Sequence, residues 1–115
     1  MKGVFRFGLP IIKLSIDGKE VDMLLDTGFN GQLMLPQKLI DKLRLKQIGI
    51  SDYMTASGEG KLTKVYKGIV NLIDKKMNIV VLSTDADFSL AGMELLHDYR
   101  IVIERCKNLI EIRLS

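Results

Sequence analysis

Apolar and polar residues change places along this chain mostly with the period of a strand. Ile12, Leu14 and Ile16 alternate with Lys13 and Ser15, the pattern of a half-buried β-strand. Asp17-Gly18 follows, a strong hairpin turn, and Glu20 to Leu25 return as the second strand. After Asp22 the return strand is apolar at nearly every position, which predicts burial on both faces. It runs straight into Asp26-Thr27-Gly28. A carboxylate delivered by an apolar strand is costly to bury unless hydrogen-bonded or neutralised, so its position asks for a chemical reason.

Further along, Val4 to Phe7 is a short β-prone stretch, and Gln32 to Leu35 is another that ends at Pro36. Proline suits the first turn of a helix, and Leu39, Ile40 and Leu43 then recur at helical spacing. Lys42-Leu43-Arg44-Leu45-Lys46 reads as the solvated side of that helix, with Ile48-Gly49 closing the unit. Residues 50–73 return to strand character around a polar, glycine-rich centre, Ser57-Gly58-Glu59-Gly60, which predicts a long hairpin with a mobile tip. Met77 to Leu82 is a buried strand, and Asp85 and Asp87 sit in a solvated loop. Met93 to Leu96 reads as a second short helix, followed by strands at Tyr99 to Ile103 and Leu109 to Leu114. Many short strands, close turns and two short helices predict a compact all-β barrel spanning residues 1–115 as one domain.

Composition narrows the function classes. Hydrophobic residues make up 47% and charged ones 27%, an ordinary globular balance rather than a disordered one. The net charge of +3 is spread over 17 basic and 14 acidic residues without a block of one sign, so no nucleic-acid footprint is expected. No apolar run approaches the roughly 18 residues that cross a bilayer. Cys106 is the only cysteine; without an internal disulfide, a cytoplasmic location is expected. His97 stands without a second histidine or cysteine nearby and reads as a surface residue, not a metal ligand. No phosphate loop, zinc-ligand spacing or serine-nucleophile elbow is present, and the six methionines read as core filling.

Three elements in chain order carry a resemblance. They are Asp26-Thr27-Gly28 after its apolar strand, the step Gly31-Gln32-Leu33-Met34-Leu35-Pro36, and the late segment Leu90-Ala91-Gly92-Met93-Glu94-Leu95-Leu96. With the glycine-tipped hairpin between them, the sequence resembles the retropepsin-like aspartic proteases, nearest to their small prokaryotic members. The resemblance implies a closed acid-protease β-barrel with one half-site per chain. Peptide hydrolysis by carboxylates needs two: one ionised to take a proton from water, one neutral to polarise the scissile carbonyl. The other aspartates, at 17, 22, 41, 52, 74, 85, 87 and 98, do not end a buried strand before Thr-Gly or Ser-Gly. The second carboxylate is therefore expected from a second copy, as a homodimer with Asp26 near its two-fold axis.

By the same resemblance, Thr27 hydrogen-bonds across the dimer and Gly28 lets the backbone approach the carboxylate. Phe29, Asn30 and Leu90 would line the substrate, and Ser57, Gly58, Glu59 and Gly60 would form a flap closing over an extended peptide or protein substrate. The strand at residues 109–114 would make the interchain sheet. No metal, cofactor, nucleic acid or membrane is implied. Phe29 departs from the family, where Ala or Ser is commoner, and Glu94 stands where Asp is common. The bulk of Phe29 keeps an alternative open: a catalytically weak or inactive dimeric β-barrel acting as a peptide-binding or assembly module.

Overall fold

The computed structural model describes residues 1–54 and 58–115, Tyr53 and Met54 by their main chain only. The chain runs β1 (Lys2–Arg6), β2 (Leu9–Ile16), β3 (Lys19–Leu25), β4 (Leu33–Pro36), α1 (Gln37–Leu43), β5 (Lys46–Met54) and β6 (Gly60–Leu72). It continues with β7 (Lys75–Thr84), β8 (Leu90–Ala91), β9 (Tyr99–Glu104), a 3-10 turn at Arg105–Lys107 and β10 (Leu109–Leu114). The fold is all-β, as the alternation predicts.

The strands lie in the order β5-β6-β7-β4-β8-β3-β2-β1-β10-β9. A further pairing of β2 with β6, Ser15 opposite Asn71 and Ile16 opposite Val70, closes six of them into a ring. That closure is two residue pairs long, so the strands form a ring rather than a barrel sealed along its length. Its interior is filled by Ile12, Leu14, Ile16, Met23, Leu25, Leu33, Leu35, Val70, Leu72 and Val81, all buried.

Local sequence explains most of these elements. Asp17 and Gly18 both take positive φ, 47° and 85°, the conformation a tight hairpin needs between strands that twist to the right. The Asp17 carboxylate also accepts the Ile69 N–H at 2.7 Å and so ties this turn to β6. Pro36 precedes α1 directly, and Arg44 ends it in the left-handed conformation, φ 57° and ψ 42°. The basic stretch at 42–46 is thus a helix end, a left-handed cap and the start of β5, with Leu45 buried beneath it. Gln37 anchors α1 on the sheet: it donates to the Tyr66 hydroxyl at 3.0 Å and accepts from Ser83 Oγ at 2.6 Å.

Three expectations are corrected. β3 is buried on alternate residues, Met23 and Leu25, while Asp22 is exposed. Ile48-Gly49 does not close a unit, because β5 already starts at Lys46 and bulges between Gln47 and Gly49. Residues 93–98 are consecutive turns, not a helix; their bonds, such as Leu96 N–H to Met93 C=O at 3.1 Å, reach back three residues only.

Candidate active site at the end of strand β3

β3 and β4 are consecutive in sequence but not paired, because the two-residue β8 lies between them. Leu24 and Leu25 pair with Leu90 and Ala91 in parallel, and Ala91 and Leu90 pair with Leu33 and Met34 in antiparallel fashion. The connection from Asp26 to Gln32 therefore has to arch across the end of β8. This crossing builds the site.

On β3 the side chains alternate, so Met23 and Leu25 enter the core while Asp22, Leu24 and Asp26 share the other face. Asp22 is held by Arg6 at 2.9 Å. Asp26 extends the pairing one residue further, its N–H donating to the Ala91 carbonyl at 3.0 Å. Beyond it the chain turns. The Phe29 N–H donates to the Asp26 carbonyl at 3.2 Å, and the Gly28 N–H donates to Asp26 Oδ1 at 2.9 Å. The carboxylate is half-buried, and its other oxygen has no hydrogen-bond donor among the described residues. One oxygen fixed by its own turn and one left open is the geometry of an acid oriented for work outside the chain.

The site uses the space that its glycines leave. A Cβ on Gly28 would come within 3.3 Å of Asp26 Oδ1, tight enough to disturb the amide-carboxylate bond. At Gly92, just after β8, a Cβ would overlap the Gly31 carbonyl oxygen and approach the Phe29 ring to 2.6 Å. The arch is laced onto this point by three bonds: Gly92 N–H to Gln32 C=O, Met93 N–H to Phe29 C=O and Glu94 N–H to Gly31 C=O. The Phe29 ring is tucked against Gly31 and Gly92, the two residues that lack a side chain to exclude it.

The residues singled out from sequence fall into two groups. Asp26, Thr27, Gly28, Phe29 and Asn30 are contiguous on the arch, with Thr27 and Asn30 exposed. Leu90 is 8% exposed, set between Leu24 and Met34 in the sheet that carries the arch. Gly58, at φ 87°, Glu59 and Gly60 are exposed at the far end of the β5-β6 hairpin, whose pairing reaches Met54 opposite Gly60. Ser57 lies outside the described residues. Sequence reasoning passed over Ala91 and Gly92 as site residues because neither offers a reactive side chain. They act through a carbonyl, an N–H and an absent Cβ.

Residues 12–98 match the family described as "gag-polyprotein putative aspartyl protease". The chain belongs to the retropepsin-like aspartic proteases. No curated protein matches it. Among solved structures, it is similar to a retropepsin-like aspartic protease from Rickettsia conorii, with 28% identity, TM-score 0.71, and coverage of 97% of this chain and 86% of that one. It also shares the fold of the EIAV protease complexed with the inhibitor HBY-793, at 17% identity and TM-score 0.68, covering 78% of this chain and 86% of that one. A third likeness is the simian foamy virus (mac) protease, at 18% identity and TM-score 0.58, covering 76% and 91% respectively. In retropepsin-like terms, the Asp26 turn and the late Leu90-Ala91-Gly92 segment are one structural unit here, joined by the hydrogen bonds described above. Among the described residues no helix is long and apolar enough to cross a membrane.

Proposed function

We propose that residues 1–115 form one aspartic endopeptidase domain that works as a homodimer, with Asp26 of each copy supplying one of two paired carboxylates. The observation that carries this reading is the state of Asp26: oriented through Oδ1 by the Gly28 N–H, with its second oxygen open. Two such groups brought together cannot readily both ionise, so the pair shares one proton and titrates as a unit. The ionised member takes a proton from a bound water, and the protonated member hydrogen-bonds the scissile carbonyl. Proton return to the amine leaving group completes the cleavage. No metal or cofactor takes part in this scheme.

In the same reading Thr27 and Gly28 serve the catalytic turn, and Phe29, Asn30 and Leu90 border the substrate. Ser57, Gly58, Glu59 and Gly60 form the closing flap, and the enzyme acts on peptide or protein in the cytoplasm. An extended substrate would be held by strand-like main-chain bonds, with pockets for alternate side chains. Phe29 raised the alternative of a module that binds peptides or assembles without cutting. Its ring is packed on Gly31 and Gly92, which supports an open site rather than a blocked one.

A peptide-library cleavage assay from acidic to neutral pH, comparing wild type with Asp26→Asn, tests this. Both copies carry the substitution, so both carboxylates are lost, and the rate is expected to fall by at least about 10²–10⁴-fold. Cleavage that survives the substitution refutes the mechanism. Peptide binding without cleavage by either protein favours the binding module.

A further inference from the structure

The basic stretch at the end of α1 has no part in the Asp26 site. Arg44 and Lys46 flank the buried Leu45 and, with Lys67 of β6, line a groove of about 260 Å³. Asp17, Ile69 and Asn78 also line it, and no residue of the Asp26 arch does. The groove lies at the opposite end of the β5-β6 hairpin from Gly58 and Gly60, since Lys46 pairs with Lys67 and Met54 with Gly60.

Two choices of residue here work against the fold. Arg44 holds the left-handed conformation, φ 57° and ψ 42°, where glycine is the unstrained residue. A cation suits a helix C-terminus, but Lys42 already supplies one in the last turn. Lys46 and Lys67 are direct cross-strand partners, which sets two like charges side by side on one face, an unfavourable pair. All three cations are exposed, and none has an ion pair among the described residues. Asp17 brings one negative charge against three positive ones, and its Oδ1 is already turned to the Ile69 N–H at 2.7 Å. Residues that break local rules without a compensating contact are expected at functional sites. Cations of one sign converging on a groove concentrate anions there.

We infer that this groove binds a small phosphate-bearing anion, either inorganic pyrophosphate or the diphosphate of a nucleotide. The Arg44 guanidinium offers paired N–H donors that match phosphate oxygens, and the two lysines act as point charges. The Asn78 amide adds a neutral donor at the wall. Three cations less one carboxylate leave two positive charges, and a diphosphate carries at least as many negative ones. The volume falls just below the roughly 300–1,000 Å³ of drug-sized ligand pockets, which suits a small anion rather than an extended polymer. A bound diphosphate would remove the Lys46–Lys67 repulsion and tie the end of α1 to β6. The inference does not depend on the paired-Asp26 reading.

The test is isothermal titration calorimetry on the full chain at physiological ionic strength, with inorganic pyrophosphate and separately with adenosine diphosphate. One saturable site per chain is expected. Arg44→Gly and Lys67→Gln should each weaken binding about 10-fold or more. Lys38→Gln makes the same change of net charge outside the groove and should leave affinity within about 3-fold of wild type. Without ligand, both groove variants should melt no lower than wild type, and pyrophosphate should raise their midpoints less. Equal affinity for the two ligands assigns the site to the diphosphate alone. Tighter binding of the nucleotide assigns it to nucleotides, with Ile69, 48% exposed, as the apolar wall. Either result supports the site. Absence of saturable binding overturns the inference, as does binding weakened equally by Lys38→Gln. A groove variant that melts below wild type overturns it too, because its cation then serves the fold. None of these readouts involves peptide cleavage, so failure here leaves the Asp26 mechanism standing.

Discussion

Gly92→Ala puts the arch over β8 to a quantitative test. The added Cβ would overlap the Gly31 carbonyl oxygen, lie 2.8 Å from the Phe29 carbonyl oxygen and 2.6 Å from its ring. A ring can rotate, but two of these obstacles are main chain, so the arch must lift. Lifting it stretches the bonds to Gln32, Phe29 and Gly31, now 2.9, 2.9 and 3.2 Å long. Overpacking of this kind costs about 1–3 kcal/mol, and each hydrogen bond contributes about 1 kcal/mol net. With partial loss of the three bonds the total is about 3–5 kcal/mol, a large part of the ~5–15 kcal/mol that holds a domain folded. In urea this lowers the midpoint by about 2 M for a protein of this size. Phe29→Ala in the same background removes only the ring contact and should recover little more than about 1 kcal/mol of that loss. Gly49→Ala, where a Cβ meets open space, is the control and should stay within about 0.5 kcal/mol of wild type. A Gly92→Ala midpoint indistinguishable from wild type would show that the arch does not rest on β8 and would remove the argument for how Asp26 is held.

Gly28→Ala probes the carboxylate more gently. With a Cβ 3.3 Å from Asp26 Oδ1, stability should change by less than about 1 kcal/mol, while kcat/KM falls at least about 10-fold as the orienting bond weakens; unchanged kinetics would show that this bond does not orient the acid. Arg44→Gly should raise stability by about 0.5–1 kcal/mol in a denaturant titration, since Arg44 caps α1 with φ at 57° and is exposed. Tyr99 gives a pH signature. Burial first, and then the neighbouring Asp98, raise its phenol above the ordinary value of 10.0. The folded state therefore prefers the neutral phenol; this stability is fully present below pH 10 and is lost as pH rises through the raised value. Tyr99→Phe should cost about 1 kcal/mol at neutral pH, from its 3.4 Å bond to the Leu72 carbonyl, and should flatten the alkaline loss. A wild-type alkaline limb identical to that of the variant would refute the assignment.

The parts legible in sequence are those fixed by neighbours along the chain. Strand alternation placed Ile12, Leu14 and Ile16 in the core, where they are 1%, 1% and 0% exposed. Asp17-Gly18 announced its hairpin, and Pro36 with Leu39, Ile40 and Leu43 announced α1. Asp26 stood out because an acid ending an apolar strand is chemically expensive. The segment at 93–98 misled: its apolar spacing suits a helix, but its local N–H groups bond three residues back, as Leu96 to Met93 and His97 to Glu94, and the Met93 and Glu94 N–H groups are spent on the arch.

The sequence by itself determined the strands, the hairpin turns and the acid at the end of β3. Only the tertiary structure decided which strands touch. Nothing local places β8 between β3 and β4, yet that insertion makes the arch and requires glycine at position 92. Nor does alternation distinguish a terminal strand that pairs within its chain from one that pairs between chains, because both bury the same residues. Met1 and β1 decide it by occupying the edge of β10 at Glu111, Ile110 and Ile112, which leaves β9, like β5, at an end of the strand order among the described residues. Backbone groups at a sheet edge carry no side-chain signature, so their partners are set by the fold and not by the order of residues.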